Sequence, residues 1–211
     1  MSGGVEREGL ATSGAPAGGK APWVLVVCVL VAVMVVGVWT GAARMQRDGI
    51  SVTWSGPVQC TGSRVTQESV SESERPIQAM RLQPSMRCRL PVRIANEGWA
   101  PVEMERVRLP YMGPGGGAAV QVAKLDGRRP LADPEIDVDA VFEMRHRLPA
   151  GSTDRFVIEF TFRPRGCTAE GLMWVSDMPE VTIKALGRSG QRSPSGFIGF
   201  RGTPESDNCS T

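Results

Sequence analysis

The sequence holds one histidine, one tyrosine and three lysines in 211 residues. The first scarcity removes whole classes of chemistry. With His146 alone, a histidine-based metal centre is excluded, and the five cysteines show no C-x-x-C spacing that could hold zinc in its place. No nucleophile-elbow motif surrounds Ser152, the serine nearest to that histidine and to Asp154. Charge of either sign is not in excess: 24 basic against 22 acidic residues leave a net charge of +2, which gives no global field to gather nucleic acid. No amphipathic helix period and no internal repeat emerge. No catalytic residue, metal ligand or cofactor site is therefore assigned.

What the chain does have is one long apolar run. Ala21 to Ala43 carries no charge, and at about 1.5 Å per residue a helix there would cover roughly 34 Å, against a hydrocarbon core of about 30 Å. Trp23 and Trp39 flank its most apolar part, where indole rings favour the membrane interface. The run has no polar face, which argues against a core helix. It exceeds the apolar region of a cleaved signal peptide, about 7–15 residues, although Thr40-Gly-Ala-Ala43 could serve as a cleavage site. A lipidated Cys28 is disfavoured by Val26 and Val27 before it, so Cys28 reads as a small apolar residue in the span.

Flanking charge does not orient the span, since Arg7 and Lys20 balance Arg44 and Arg47. The cysteines do. Cys60, Cys88, Cys167 and Cys209 all follow it, and an even set suits an oxidising compartment. The expected organisation is a cytoplasmic tail over 1–20, a transmembrane helix over 21–43, a stalk over 44–49, an extracytoplasmic β domain over 50–205 and a C-terminal tail over 206–211. This places the protein in the plasma membrane as a single-pass chain, with the lipid bilayer as one partner through residues 21–43. The excess of 21 arginines over three lysines, with abundant Gly, Ala, Val and Pro, suggests a GC-rich, actinobacterial source.

Beyond Ile50 the hydrophobic period is two. Ile136, Val138, Ala140, Phe142, Met144, His146 and Leu148 share one face of a predicted strand, opposite Asp137, Asp139, Glu143, Arg145 and Arg147. Phe156, Ile158, Phe160 and Phe162 form a second apolar face, with Pro149 to Asp154 as the connection. Arg87 to Ala95 is a third strand, with Leu90, Val92 and Ile94 inward. Asn96-Glu-Gly98 then turns the chain into Val102 to Leu109, whose phase slips near Arg106 as a bulge would make it. Further strands are expected at 50–58, 118–125, 181–186 and 197–201, and a loop at 61–75. Seven or eight strands with turn signals predict a β-sandwich.

The segment Leu90-Pro-Val-Arg-Ile-Ala-Asn-Glu-Gly-Trp-Ala-Pro-Val102 resembles the strand, Asn-x-Gly turn and Pro-Val restart of bacterial extracellular immunoglobulin-like modules. The likeness covers that segment alone. No Cys-Trp-Cys spacing of the antibody type accompanies it. It implies an all-β, immunoglobulin-like sandwich outside the cytoplasm and carries no ligand or activity with it.

Topology orders the cysteines. If the strands bearing Cys60 and Cys88 are antiparallel neighbours, those two meet, and Cys167 then pairs with Cys209. Among candidate contact residues, Arg87, Arg89 and Arg93 line the outward face of one strand, with Arg106, Arg108, Arg145 and Arg147 as additions. Such a patch suits an anionic wall component or lipid headgroup. The plainer reading is an arginine-rich chain placing charge on its surface. Of Trp54, Trp99 and Trp174, Trp99 follows the turn and is the one placed for partner contact; otherwise the three are core. Asp133, Glu135, Asp137 and Asp139 alternate but match no calcium-loop spacing, and read as a solvated face. His146 reads as a packed or edge histidine. The function expected is a non-enzymatic binding or assembly module that meets a surface protein or wall component. The rival is a membrane-tethered hydrolase or an accessory domain of one, with His146 and the acidic row as its chemistry.

Overall fold

A computed structural model describes residues 21–73, 75–132, 137–167 and 171–203. It divides into two compact units, Met1–Gly41 and Ala42–Thr211. Helix α1 runs Ala21–Asp48. Within its stretch Trp23–Asp48 an 18-residue window has a mean hydropathy of 2.7, and the helix is long and apolar enough to cross a membrane. The side chains from Trp23 to Val38 are exposed, including the free thiol of Cys28. Of residues 44–49, read from the sequence as a stalk, Arg44 to Asp48 are the last turns of α1 and Gly49 is a turn, and all six fall in the second unit. Gln46 there is fully buried.

The second unit is mostly β. Among the described residues its strands are β1 (Ile50–Trp54), β2 (Gln59–Thr61), β3 (Val65–Glu68), β4 (Ile77–Arg81), β5 (Arg87–Asn96), β6 (Val102–Leu109), β7 (Val120–Leu125), β8 (Ala140–Leu148), β9 (Thr153–Phe162), β10 (Leu172–Ser176), β11 (Glu180–Ala185), β12 (Arg188–Arg192) and β13 (Phe197–Arg201). They form three sheets. The five-stranded sheet runs β1-β5-β9-β7, with β2 also on β5. The other two run β10-β13-β4-β3 and β12-β11-β6-β8. All pairings are antiparallel except β13 with β4. One apolar cluster draws on all three sheets, from Leu90, Ile94, Phe156 and Phe160 to Met80, Phe200, Met104, Phe142 and Ile183. Phe160 and Phe200 meet edge-to-face at 5.9 Å between ring centroids.

Thirteen strands replace the seven or eight expected, and the surplus has physical reasons. The segment 61–75 was expected to be a loop, yet it contains β3, a polar edge strand whose Val-Thr-Gln-Glu shows no apolar alternation to read. β12 is also a polar edge. It is set by a two-residue turn in which Leu186 and Gly187 take φ of 50° and 79°. The strand expected from Ile136 begins at Ala140 instead; residues 137–139 are turn and bend. The expected bulge near Arg106 is present, with the register of β6 slipping between Met104 and Arg106 against β8. Pro91 sits in central β5. Its carbonyl accepts from the Ser55 amide at 2.9 Å, so its missing N–H faces the gap between β1 and β2 and costs no ladder bond.

Candidate functional site

Strand β5 alternates as the sequence requires. Cys88, Leu90, Val92 and Ile94 are buried, while Arg87, Arg89 and Arg93 stand outward. The pairing then decides what those arginines meet. Arg87 lies opposite Thr161, Arg89 opposite Glu159, Pro91 opposite Val157 and Arg93 opposite Arg155. On the far side, Lys124 of β7 is also opposite Glu159. The outer face of the five-stranded sheet therefore carries Arg87, Arg89, Arg93, Arg155 and Lys124, with Glu159 as the carboxylate at an outward strand position.

Arg89 uses that carboxylate, with Nη2 at 2.7 Å and Nε at 3.1 Å from Oε1. Arg93 donates only to the Thr153 hydroxyl, at a long 3.4 Å. Asp126, just beyond β7, is occupied by the Val157 amide at 2.7 Å. Among the described residues no carboxylate pairs with Arg87, Arg93, Arg155 or Lys124. Two like charges directly opposite on adjacent strands repel, so the Arg93–Arg155 juxtaposition works against folding. At the β2 end of this face lies a surface cavity of about 590 Å³, lined by Gln59, Thr61, Arg87, Arg89, Lys124 and Glu159.

The Cys60–Cys88 disulfide underlies that cavity. The two residues are directly opposed on β2 and β5, as the antiparallel-neighbour reading required, and the bridge joins positions 28 apart in sequence. In the chain-entropy view such a loop contributes about 3–4 kcal/mol. Cys167 is also disulfide-bonded; Cys209, the partner expected for it, lies outside the described residues.

The remaining sequence candidates do not join this face. Arg106 and Arg108 are on β6, and Arg145 and Arg147 on β8, all in another sheet. Arg108 is held by Asp139 at 2.6 Å and Glu180 at 3.0 Å, and the bond to Asp139 raises its pKa. Trp99 lies past the end of β5 in the connection to β6, 64% exposed, while Trp54 packs against the core and Trp174 is 38% exposed. In the acidic row, Asp139 also accepts from the Tyr111 amide at 2.8 Å, while Asp133 and Glu135 fall outside the described residues. Among those residues no cluster of three His, Cys, Asp or Glu could hold a metal.

His146 is exposed on edge strand β8, where its Nε2 meets Asp154 Oδ2 at 3.0 Å. The Ser152 hydroxyl donates to the Pro149 carbonyl at 2.7 Å instead. Arg163 is a buried cation. It donates through Nη2 to the Gly113 carbonyl and through Nε to Gln121 at 3.3 Å, while Nη1 has no partner among the described residues and burial lowers its pKa.

Sequence reasoning missed Arg155 and Lys124. The strand that carries Phe156 to Phe162 starts at Thr153, inside the expected connection, and carrying its alternation back from Glu159 puts Arg155 on the outward side. Lys124 reaches that face through a register slip between Val122 and Lys124, which no sequence period shows. The chain matches no known protein family, and no curated protein shows significant similarity to it.

Proposed function

We propose that this chain is a single-pass, membrane-anchored protein whose β domain lies outside the cytoplasm and acts as a non-enzymatic binding module for an anionic surface or wall component. The observation that carries this reading is Arg93 directly opposite Arg155 on a face with five cations and one carboxylate. An arrangement that costs folding energy is accounted for if an anionic group settles between the guanidiniums, each of which offers forked donors. The apolar helix supports the anchor. The Cys60–Cys88 bridge supports an oxidising compartment. We read the five-stranded sheet as one layer of an immunoglobulin-like sandwich and the other two sheets as its second layer, because a single apolar cluster draws on all three.

Full-length protein in neutral-lipid nanodiscs, retained on immobilised inorganic polyphosphate, tests the reading. Arg93→Gln with Arg155→Gln should weaken retention about tenfold, two exposed charge contacts at about 0.7 kcal/mol each. Arg106→Gln with Arg147→Gln, on the other sheet, should leave it unchanged. Equal loss from both pairs would reduce the effect to bulk charge and defeat the proposal. The hydrolase alternative draws on the His146–Asp154 contact. A hydrolytic activity abolished by His146→Gln in a folded protein would replace the binding reading.

A further inference from the structure

The end of α1 and the β5–β6 connection share a buried polar network. Gln46 Nε2 donates to the Ala100 carbonyl at 2.7 Å and to Asn96 Oδ1 at 3.2 Å. Its Oε1 accepts from the amides of Trp99 at 3.0 Å and Ala100 at 3.1 Å. Asn96 Nδ2 donates to the carbonyls of Ala100, Leu148 and Pro149 at 2.9, 3.1 and 3.0 Å, and its Oδ1 also receives the Gly98 amide at 3.1 Å. Gly98 is needed for closeness: a Cβ there would overlap the Gln46 side chain. Each amide oxygen and nitrogen of Gln46 and Asn96 is thus satisfied, which is the condition for burying them at all.

This network fixes the backbone of 96–100 and leaves one large side chain outside it. Trp99 is 64% exposed, and Met45, one position before Gln46, is 71% exposed. A rigid backbone presenting a bare indole is the arrangement of an anchor residue. Chain connectivity says what lies within reach. Ala43 is fully buried in the second unit and follows Trp39 by four residues, so even extended chain holds it within about 14 Å of that position. Arg44, the next residue, is exposed and offers a cation to lipid phosphates.

We propose that Trp99, with Met45 beside the helix end, seats in the headgroup layer of the membrane that carries the span. This rests on the reading of residues 21–43 as a membrane span. Indole favours that layer because its ring is apolar and its N–H finds acceptors there. Gln46 and Asn96 act as positioning residues.

The test is fluorine NMR of the full chain labelled with 5-fluorotryptophan in nanodiscs, with the Trp99 and Trp39 signals assigned by Trp99→Phe and Trp39→Phe. A spin label on the lipid headgroups should remove more than half the intensity of both signals. An undiminished Trp99 signal beside a diminished Trp39 signal overturns the inference and leaves Trp99 to a protein partner or a second copy of this chain. If neither signal diminishes, the span reading fails and the inference fails with it.

Discussion

Two sheets of this domain use arginine in opposite ways. On β12-β11-β6-β8, most cations have a carboxylate in contact or directly opposite: Arg108 with Asp139 and Glu180, Lys184 with Glu105 at 3.5 Å, Arg145 with Glu143 at 3.4 Å, and Arg106 and Arg147 opposite Glu143 and Glu103 in the strand register. On the five-stranded sheet, Arg89 alone has a carboxylate among the described residues, and Arg93 faces Arg155. One sequence with one arginine-rich composition made both. Composition alone therefore does not account for the unmatched face, and the proposed anion-binding role of the outer face of β5, β9 and β7 rests on that difference between the sheets.

The comparison can be broken first at its foundation. Replacing Cys60 and Cys88 together by Ala should lower unfolding free energy by about 3–4 kcal/mol, measured by denaturant titration. It should free β2 from β5 and open the cavity under Arg87, lowering hydrogen-exchange protection at β2 beyond the loss that global destabilisation brings to β6 and β8. Next come single arginines. Arg108→Ala leaves Asp139 and Glu180 facing each other and should cost about 1 kcal/mol, discounted for partial exposure. Arg93→Gln should do the reverse, raising stability by up to about 0.5 kcal/mol as the repulsion from Arg155 disappears. If both substitutions destabilise alike, the two sheets are not different in kind.

A smaller effect is set by pH. The Arg201 guanidinium, with Nε at 2.8 Å and Nη2 at 2.6 Å, holds the Glu68 carboxyl below its ordinary value of 4.5, aided by the Thr66 hydroxyl. A depressed carboxylate contributes stability that is present above that ordinary value and lost as pH falls through the folded one. Thermal midpoints should therefore fall in acid below pH 4.5, and Glu68→Gln should flatten that part of the profile while leaving the cationic face untouched.

Much of the fold was legible because long strands with one buried face announce themselves. The alternation of Leu90, Val92 and Ile94 fixed β5, its outward arginines and, through Cys88, the bridge to Cys60. What was not legible belonged to edges and slips. β12 is polar on both faces and β3 offers Val65 as its one apolar residue, so no period distinguishes either from loop. Arg155 and Lys124 join the site through pairing partners, which sequence does not specify. Turning the chain at Asn96-Glu-Gly98 was readable, but Gly98 is there to admit Gln46, and Asn96 is a buried hub instead of an exposed turn residue. His146 keeps the inward phase opposite Met104, yet its edge position leaves it exposed and in contact with Asp154.

The most direct test maps where an anion lands. Hydrogen-exchange mass spectrometry of the full chain in neutral nanodiscs, with and without inorganic polyphosphate, reads all strands at once. The account predicts added protection over β5, β7 and β9, with β6, β8 and β11 unchanged. Protection centred on β6 and β8, or none at saturating polyphosphate, would contradict it.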